Sequence, residues 1–109
     1  MLIFYSYEGK ERVVELNRNV VVIGRPSSSL GLPDLDLSPD KNVSRRHARL
    51  WRDGDAYWIE DLNSQLGLLV NGIRIQGKRA VKFGDRIVAG KTELRLMPSN
   101  TQELEAKPQ

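Results

Sequence analysis

The stretch Leu68-Leu69-Val70-Asn71-Gly72-Ile73-Arg74-Ile75 leaves the chain little choice. Two short runs rich in β-branched residues are separated by two residues, and a two-residue hairpin needs positive φ at both of them. Asn-Gly meets that need with the least strain, so antiparallel strands are dictated here. The same grammar runs through the whole chain. Apolar or alternating runs cover residues 2–7, 12–16, 20–23, 47–52, 56–60, 68–70, 73–75, 87–89 and 92–97, and a short one covers 34–37. Between them lie turn signals: Glu8-Gly9-Lys10, Asn17-Arg18-Asn19, Asp53-Gly54, Gln76-Gly77-Lys78 and Gly90-Lys91. No helical period of useful length appears before residue 98. About ten short strands at this spacing predict an all-β sandwich or barrel.

The length of 109 residues allows one domain with a two-layer core. Hydrophobic residues at 39% and charged residues at 28% place the chain among globular proteins rather than disordered ones. With no cysteine there is neither a disulfide framework nor a thiolate metal site, which favours a cytoplasmic setting. The apolar start, Met1 to Tyr7, has no basic leader and is too short to cross a membrane. Residues 98–109 are polar, hold two prolines and lack an apolar pattern; they read as a tail or linker to a further domain, leaving 1–97 as the folded unit. The net charge of +3 implies a mixed surface with a local preference for anions.

That preference has an address. Asn42-Val43-Ser44-Arg45-Arg46-His47-Ala48-Arg49-Leu50 gathers a hydroxyl, three arginines and the one histidine of the chain. Upstream, the buried run 20–23 ends at Gly24-Arg25-Pro26, where Pro26 biases Arg25 toward an extended conformation and presents its side chain at a strand end. Downstream, an irregular loop opens at Asp61 and closes at Gly67. Catalysis fits these residues poorly. His47 has neither a cysteine nor a second histidine near it in sequence to hold a metal. A Ser44/His47 pair three residues apart lacks an identifiable acid and oxyanion hole. Anion binding fits better, because arginine forks match phosphate oxygens in geometry and charge, and a neighbouring hydroxyl adds a further bond. Arg25, Ser44 and Arg45 suit those parts. Arg49 and Arg52 read as a solvated strand face, Arg46 suits either groove or solvent, and His47 reads as a hydrogen-bonded structural residue.

Taken together, Gly24-Arg25, Ser44-Arg45-Arg46-His47, the loop ending at Gly67, Val70-Asn71-Gly72 and Phe83-Gly84-Asp85-Arg86-Ile87 resemble the forkhead-associated (FHA) domain, in its bacterial form. The resemblance runs from about Val20 to Met97. It implies a β-sandwich of about eleven strands in two sheets, with loops at one end that bind phosphothreonine peptides. By it, Arg25, Ser44 and Arg45 contact the phosphate, while Arg46 and the Ser64-Gln65-Leu66-Gly67 loop meet the peptide. Gly24 and His47 brace the loops, and Asn71-Gly72 is a structural turn. The implied role is a signalling module without enzymatic activity, cofactor or metal, whose partner is a phosphoprotein made by a Ser/Thr kinase. Nucleic acid and membrane are not expected as partners, since few aromatics interleave the basic residues and the net charge is small. One departure matters. The family places a Thr-Asn-Gly-Thr-like run where this chain has Gln65-Leu66-Gly67-Leu68, and Leu66 has no group with which to bond the peptide backbone. A hydrogen bond of that kind is worth about 1–3 kcal/mol. The alternative expectation is therefore phosphate-independent docking or self-association through an apolar patch of Leu66, Leu68 and Leu69.

Overall fold

The computed structural model describes residues 1–98 and arranges eleven strands in two sheets. They are β1 (Leu2–Tyr7), β2 (Lys10–Glu15), β3 (Val20–Gly24), β4 (Leu35–Asp36), β5 (Arg46–Asp53), β6 (Ala56–Asp61), β7 (Leu68–Val70), β8 (Ile73–Arg74), β9 (Lys78–Val81), β10 (Ile87–Ala89) and β11 (Thr92–Met97). One sheet has the order β2-β1-β11-β10-β7-β8 and the other β4-β3-β5-β6-β9. β3 and β4 pair in parallel, while β3–β5, β5–β6 and β6–β9 are antiparallel. Among the described residues no helix is long and apolar enough to cross a membrane. The tail expected from residue 98 onward lies, from 99, outside the described residues.

Strand alternation builds the core. Val21 and Ile23 of β3, Ala48 and Leu50 of β5 and Ile59 of β6 point inward from the five-stranded sheet. Ile3, Leu68, Val70, Ile87, Leu94 and Leu96 meet them from the six-stranded one. On the outer face the opposite phase applies: Trp51 pairs with Trp58 across β5 and β6, and the Arg49 guanidinium lies 4.5 Å over the Trp51 ring. The Asn71-Gly72 turn has φ of 51° and 83°, the left-handed pair that a tight hairpin demands. Its Asn71 side chain accepts the Arg86 N–H at 2.9 Å, pinning the β7–β8 hairpin to the segment leading into β10.

Two readings of the sequence change. The strand over Lys78–Val81 was not visible, because only Val81 of its four residues is buried and it pairs as an edge with β6. The apolar patch expected from Leu66 and Leu68 does not form either. Gly67, at φ 88°, turns the chain so that β7 begins with Leu68 facing inward at 0% exposure, while Leu66 stays outside at 56%. The two leucines therefore separate in a stability experiment. Leu68→Ala is expected to cost about 2–5 kcal/mol in urea unfolding, whereas Leu66→Ala changes stability by no more than about 0.5 kcal/mol.

Candidate functional site

The site begins with a break in register between β3 and β5. Ile23 lies opposite Ala48 but Gly24 lies opposite Arg46, so His47 is the extra residue of a bulge. The bulge lets two successive side chains, His47 and Ala48, both turn inward. It also brings the β5 entry against β3 so closely that a Cβ on Gly24 would sit 2.0 Å from the Arg45 carbonyl oxygen. Only glycine fits. The next amide, Arg25 N–H, donates to that same carbonyl at 3.0 Å, and Arg25 Nε donates to Val43 O at 2.5 Å. Arg25 is thereby fixed at backbone and side chain, with its terminal nitrogens free of partners among the described residues.

His47 joins the two loops that face Arg25. Its Nδ1 accepts the Ser44 N–H at 3.0 Å, so the proton sits on Nε2, which donates to Gly67 O at 2.7 Å. The neutral imidazole thus clamps the β4–β5 loop to the β6–β7 loop from inside the sandwich. Burial pushes its pKa below the ordinary value; the Gly67 bond and the charges of Asp61 and Asp40 pull in the other direction without reversing it. A second link is made at the surface, where Ser44 Oγ accepts the Gln65 N–H at 3.0 Å. The hydroxyl is positioned by accepting, and its own hydrogen remains available to an anion.

Beneath the β4–β5 loop is Asp40, buried and not singled out in the sequence. One oxygen accepts the Lys91 N–H and the Thr92 hydroxyl, both at 2.7 Å, and the other accepts the Asn42 N–H at 2.9 Å. Burial by itself opposes ionisation, but the bonds from Thr92, Lys91 and Asn42 outweigh it and hold the carboxyl below its usual pKa. The turn of Asp onto the amide two residues on is a local signal that sequence can carry; its partners at Lys91 and Thr92, across the chain, are not. The other two aspartates of the long loop are likewise turned onto backbone: Asp34 accepts Val22 N–H at 2.8 Å and Asp36 accepts Ser38 N–H at 2.8 Å. No cluster among the described residues is suited to hold a metal ion.

What these braces enclose is a cavity of about 170 Å³ lined by Arg25, Lys41, Asn42, Val43, Ser44, Gln65 and Leu66. It has two cationic side chains and no carboxylate. Lys41 and Asn42 were missed because nothing in a single sequence marks a loop lysine as lining a cavity. Arg45 lies beside the cavity, exposed, its guanidinium without a partner among the described residues. Arg46 is directed elsewhere: Nη1 donates to the carbonyls of Arg25 (3.2 Å) and Arg45 (2.8 Å), and Nη2 to those of Leu30 (2.6 Å) and Gly31 (3.1 Å). It ties the β3–β4 loop to the site. Ser64 turns back onto Asp61 within its own loop. Gly67 packs against Arg74, whose Nε would be 2.5 Å from a Cβ there. Asn71 and Gly72 form the turn at the far end of β7 and take no part in the cavity.

A β-sandwich with a carboxylate-free cationic pocket between loops at its sheet ends has the chemistry suited to receiving an anion. The profile of the FHA domain family matches residues 21–90, and the chain belongs to that family. It is 38% identical over 81 residues to Protein FraH of Nostoc sp., a match covering 70% of this chain and 28% of FraH. To the FHA domain-containing protein FhaB of Mycobacterium tuberculosis it is 33% identical over 85 residues, covering 78% of this chain and 52% of FhaB. The chain thus spans from about a quarter to about half of the length of these curated relatives. A solved structure described under phosphothreonine-dependent FHA domain interactions superposes with a TM-score of 0.71 at 30% identity, covering 91% of this chain and all of its own.

The His47 clamp carries a pH signature. Because the folded imidazole has a lowered pKa, the unfolded chain takes up the proton first as pH falls. The stability it contributes is complete above about pH 6.5, the ordinary histidine value, and is lost as pH drops through the lowered folded value. Thermal unfolding is expected to show the melting midpoint declining below that point, ahead of carboxylate titration near pH ~4, and His47→Gln should flatten this part of the profile.

Proposed function

We propose that this domain is a phosphothreonine-binding module that recruits a phosphorylated protein, the product of a Ser/Thr kinase, to the polypeptide that carries it. The observation that carries the reading is the cavity itself: Arg25 and Ser44 pre-positioned by backbone bonds, Lys41 beside them, and every nearby aspartate engaged elsewhere. A phosphate dianion entering here takes charge-assisted bonds from the free nitrogens of Arg25, the Ser44 hydroxyl and Lys41, with Arg45 closing over it from the rim. Such bonds need little rearrangement, since Arg25 Nε is already held by Val43 O. The similar structure described under phosphothreonine-dependent FHA domain interactions supports the same class of ligand.

In this reading the peptide runs over Gln65 and Leu66, while Arg46, Ser64 and Gly67 act from below by holding the loops. No catalysis is assigned: His47 has both ring nitrogens engaged inside the fold and cannot reach a substrate proton. A cytoplasmic location, where Ser/Thr kinases supply phosphothreonine, fits the cysteine-free sequence. Fluorescence anisotropy with a library of phosphothreonine peptides and their unphosphorylated counterparts tests the proposal. Binding is expected only with phosphate present, weakened about a hundredfold in Arg25→Ala and about tenfold in Ser44→Ala, as loss of charged and neutral hydrogen bonds requires. Equal binding of unphosphorylated peptides, or undiminished affinity in Arg25→Ala, would overturn it.

A further inference from the structure

We infer that the preferred ligand is a phosphothreonine flanked by bulky apolar side chains, with Leu66 as the specificity-determining contact and Leu30 and Leu32 as a second apolar wall. The inference rests on the phosphothreonine reading above and names the kind of partner that site selects. Among the described residues three leucines are exposed, Leu30 at 56%, Leu32 at 81% and Leu66 at 56%; Leu66 lines the cavity, and Leu30 and Leu32 lie on the β3–β4 loop that opens with the lining residue Arg25. The other exposed large apolar residues are on other elements of the fold.

The placement of Leu30 and Leu66 is built rather than slack. Ser27 and Gly31 exchange backbone bonds at 3.0 and 2.8 Å, and Ser27 Oγ accepts the Leu30 N–H at 3.2 Å, so the tip carrying Leu30 is ordered locally. Arg46 then links Leu30 O and Gly31 O with Arg25 O and Arg45 O. On the β6–β7 loop, the Gln65 N–H bond to Ser44 Oγ sets the position of Leu66 one residue on. Holding leucines in water at fixed positions gives folding nothing; it prepares a contact.

Leu66 also lines the cavity directly. The other aliphatic lining residue, Val43, is buried, so Leu66 supplies the apolar surface that a ligand in the cavity touches. A residue with no donor or acceptor there cannot orient a peptide by hydrogen bonding. It can bury an aliphatic or aromatic side chain beside the phosphothreonine. The charges choose the occupant. Arg25 and Lys41 share the cavity lining with Leu66, exposed Arg45 follows the lining residue Ser44, and the lining holds no carboxylate, so a second copy docking on this face would bring like charges together. A phosphorylated segment with apolar neighbours complements both features at once.

The test uses the 109-residue chain and paired phosphothreonine peptides that differ only in the flanks, Leu, Ile or Phe against Ser or Gln, on each side of the phosphoresidue. The apolar-flanked set is expected to bind about tenfold more tightly, the scale of burying one large aliphatic contact. Leu66→Asn should erase most of that preference while binding stays phosphate-dependent, and the double variant Leu30→Ser/Leu32→Ser should erase the remainder. Equal affinity for both peptide sets, or a preference that survives in both variants, would overturn the inference and leave the phosphothreonine reading standing. Absence of phosphate-dependent binding to every peptide would instead overturn that reading. A wild-type dimer in sedimentation that Leu66→Asn dissociates would assign the leucines to self-association and likewise overturn the inference.

Discussion

The site depends on one buried neutral imidazole. His47 accepts from Ser44 on one loop and donates to Gly67 on the other, and no other type of side chain offers an acceptor and a donor on opposite edges of a rigid ring of that size. Because the two bonds fix the tautomer, they also fix the charge: a protonated ring would present a donor to the Ser44 N–H and lose that bond. The clamp therefore exists only while His47 is neutral, and burial keeps it so. Everything nearer the surface follows from it. Ser44 can reach Gln65 only because both loops are already held at the right separation from within.

The second constraint is electrostatic housekeeping. A loop with Asp34, Asp36 and Asp40 runs directly into the cationic pocket, an arrangement that would repel the proposed phosphate if those carboxylates faced it. The fold gives each an amide to accept from, and Asp36 and Asp40 a hydroxyl as well, so their charge is engaged by the groups that shape the loop. Asp40 reaches furthest, to Lys91 and Thr92 at the start of β11. It joins the β4–β5 loop to the opposite sheet, while His47 joins it to the β6–β7 loop. The same glycine logic serves both joints: Gly24 leaves room for the Arg45 carbonyl, and Gly90, at φ 63°, lets its turn lie under the Asn42–Val43 backbone.

How much of this was legible depended on whether the signal was local. Turn chemistry at Asn71-Gly72 and Asp53-Gly54 and the alternation of β5 and β6 sufficed for the sandwich, because period and turn type are properties of a few adjacent residues. Lys78–Val81 escaped because an edge strand with one inward residue has no period to show. Leu68 was misplaced on the surface because its direction is set by the left-handed Gly67, not by its own neighbours. At the site, Gly24-Arg25 and Ser44 drew attention as a pattern. Asp40 and Lys41 did not, since their roles are defined by partners brought in from other loops.

Leu66 ties these threads together. A polar residue at this position adds one directional bond to whatever peptide backbone passes over it, and so gives affinity with little regard to the peptide's side chains. A leucine gives nothing to a backbone and rewards only a side chain that covers it, so the same position moves from general grip to selection. A pocket of cations that takes the phosphate, as proposed for Arg25 and Lys41, is indifferent to flanking sequence and supplies charge-based affinity to any phosphothreonine. In the proposed reading, discrimination among phosphoproteins then comes from the rim, where Leu30 is tied to Arg46 through its carbonyl and Leu66 follows Gln65, which is bonded to Ser44. Ser44 belongs to both parts: it lines the pocket, and by accepting the Gln65 N–H it sets the residue beside Leu66.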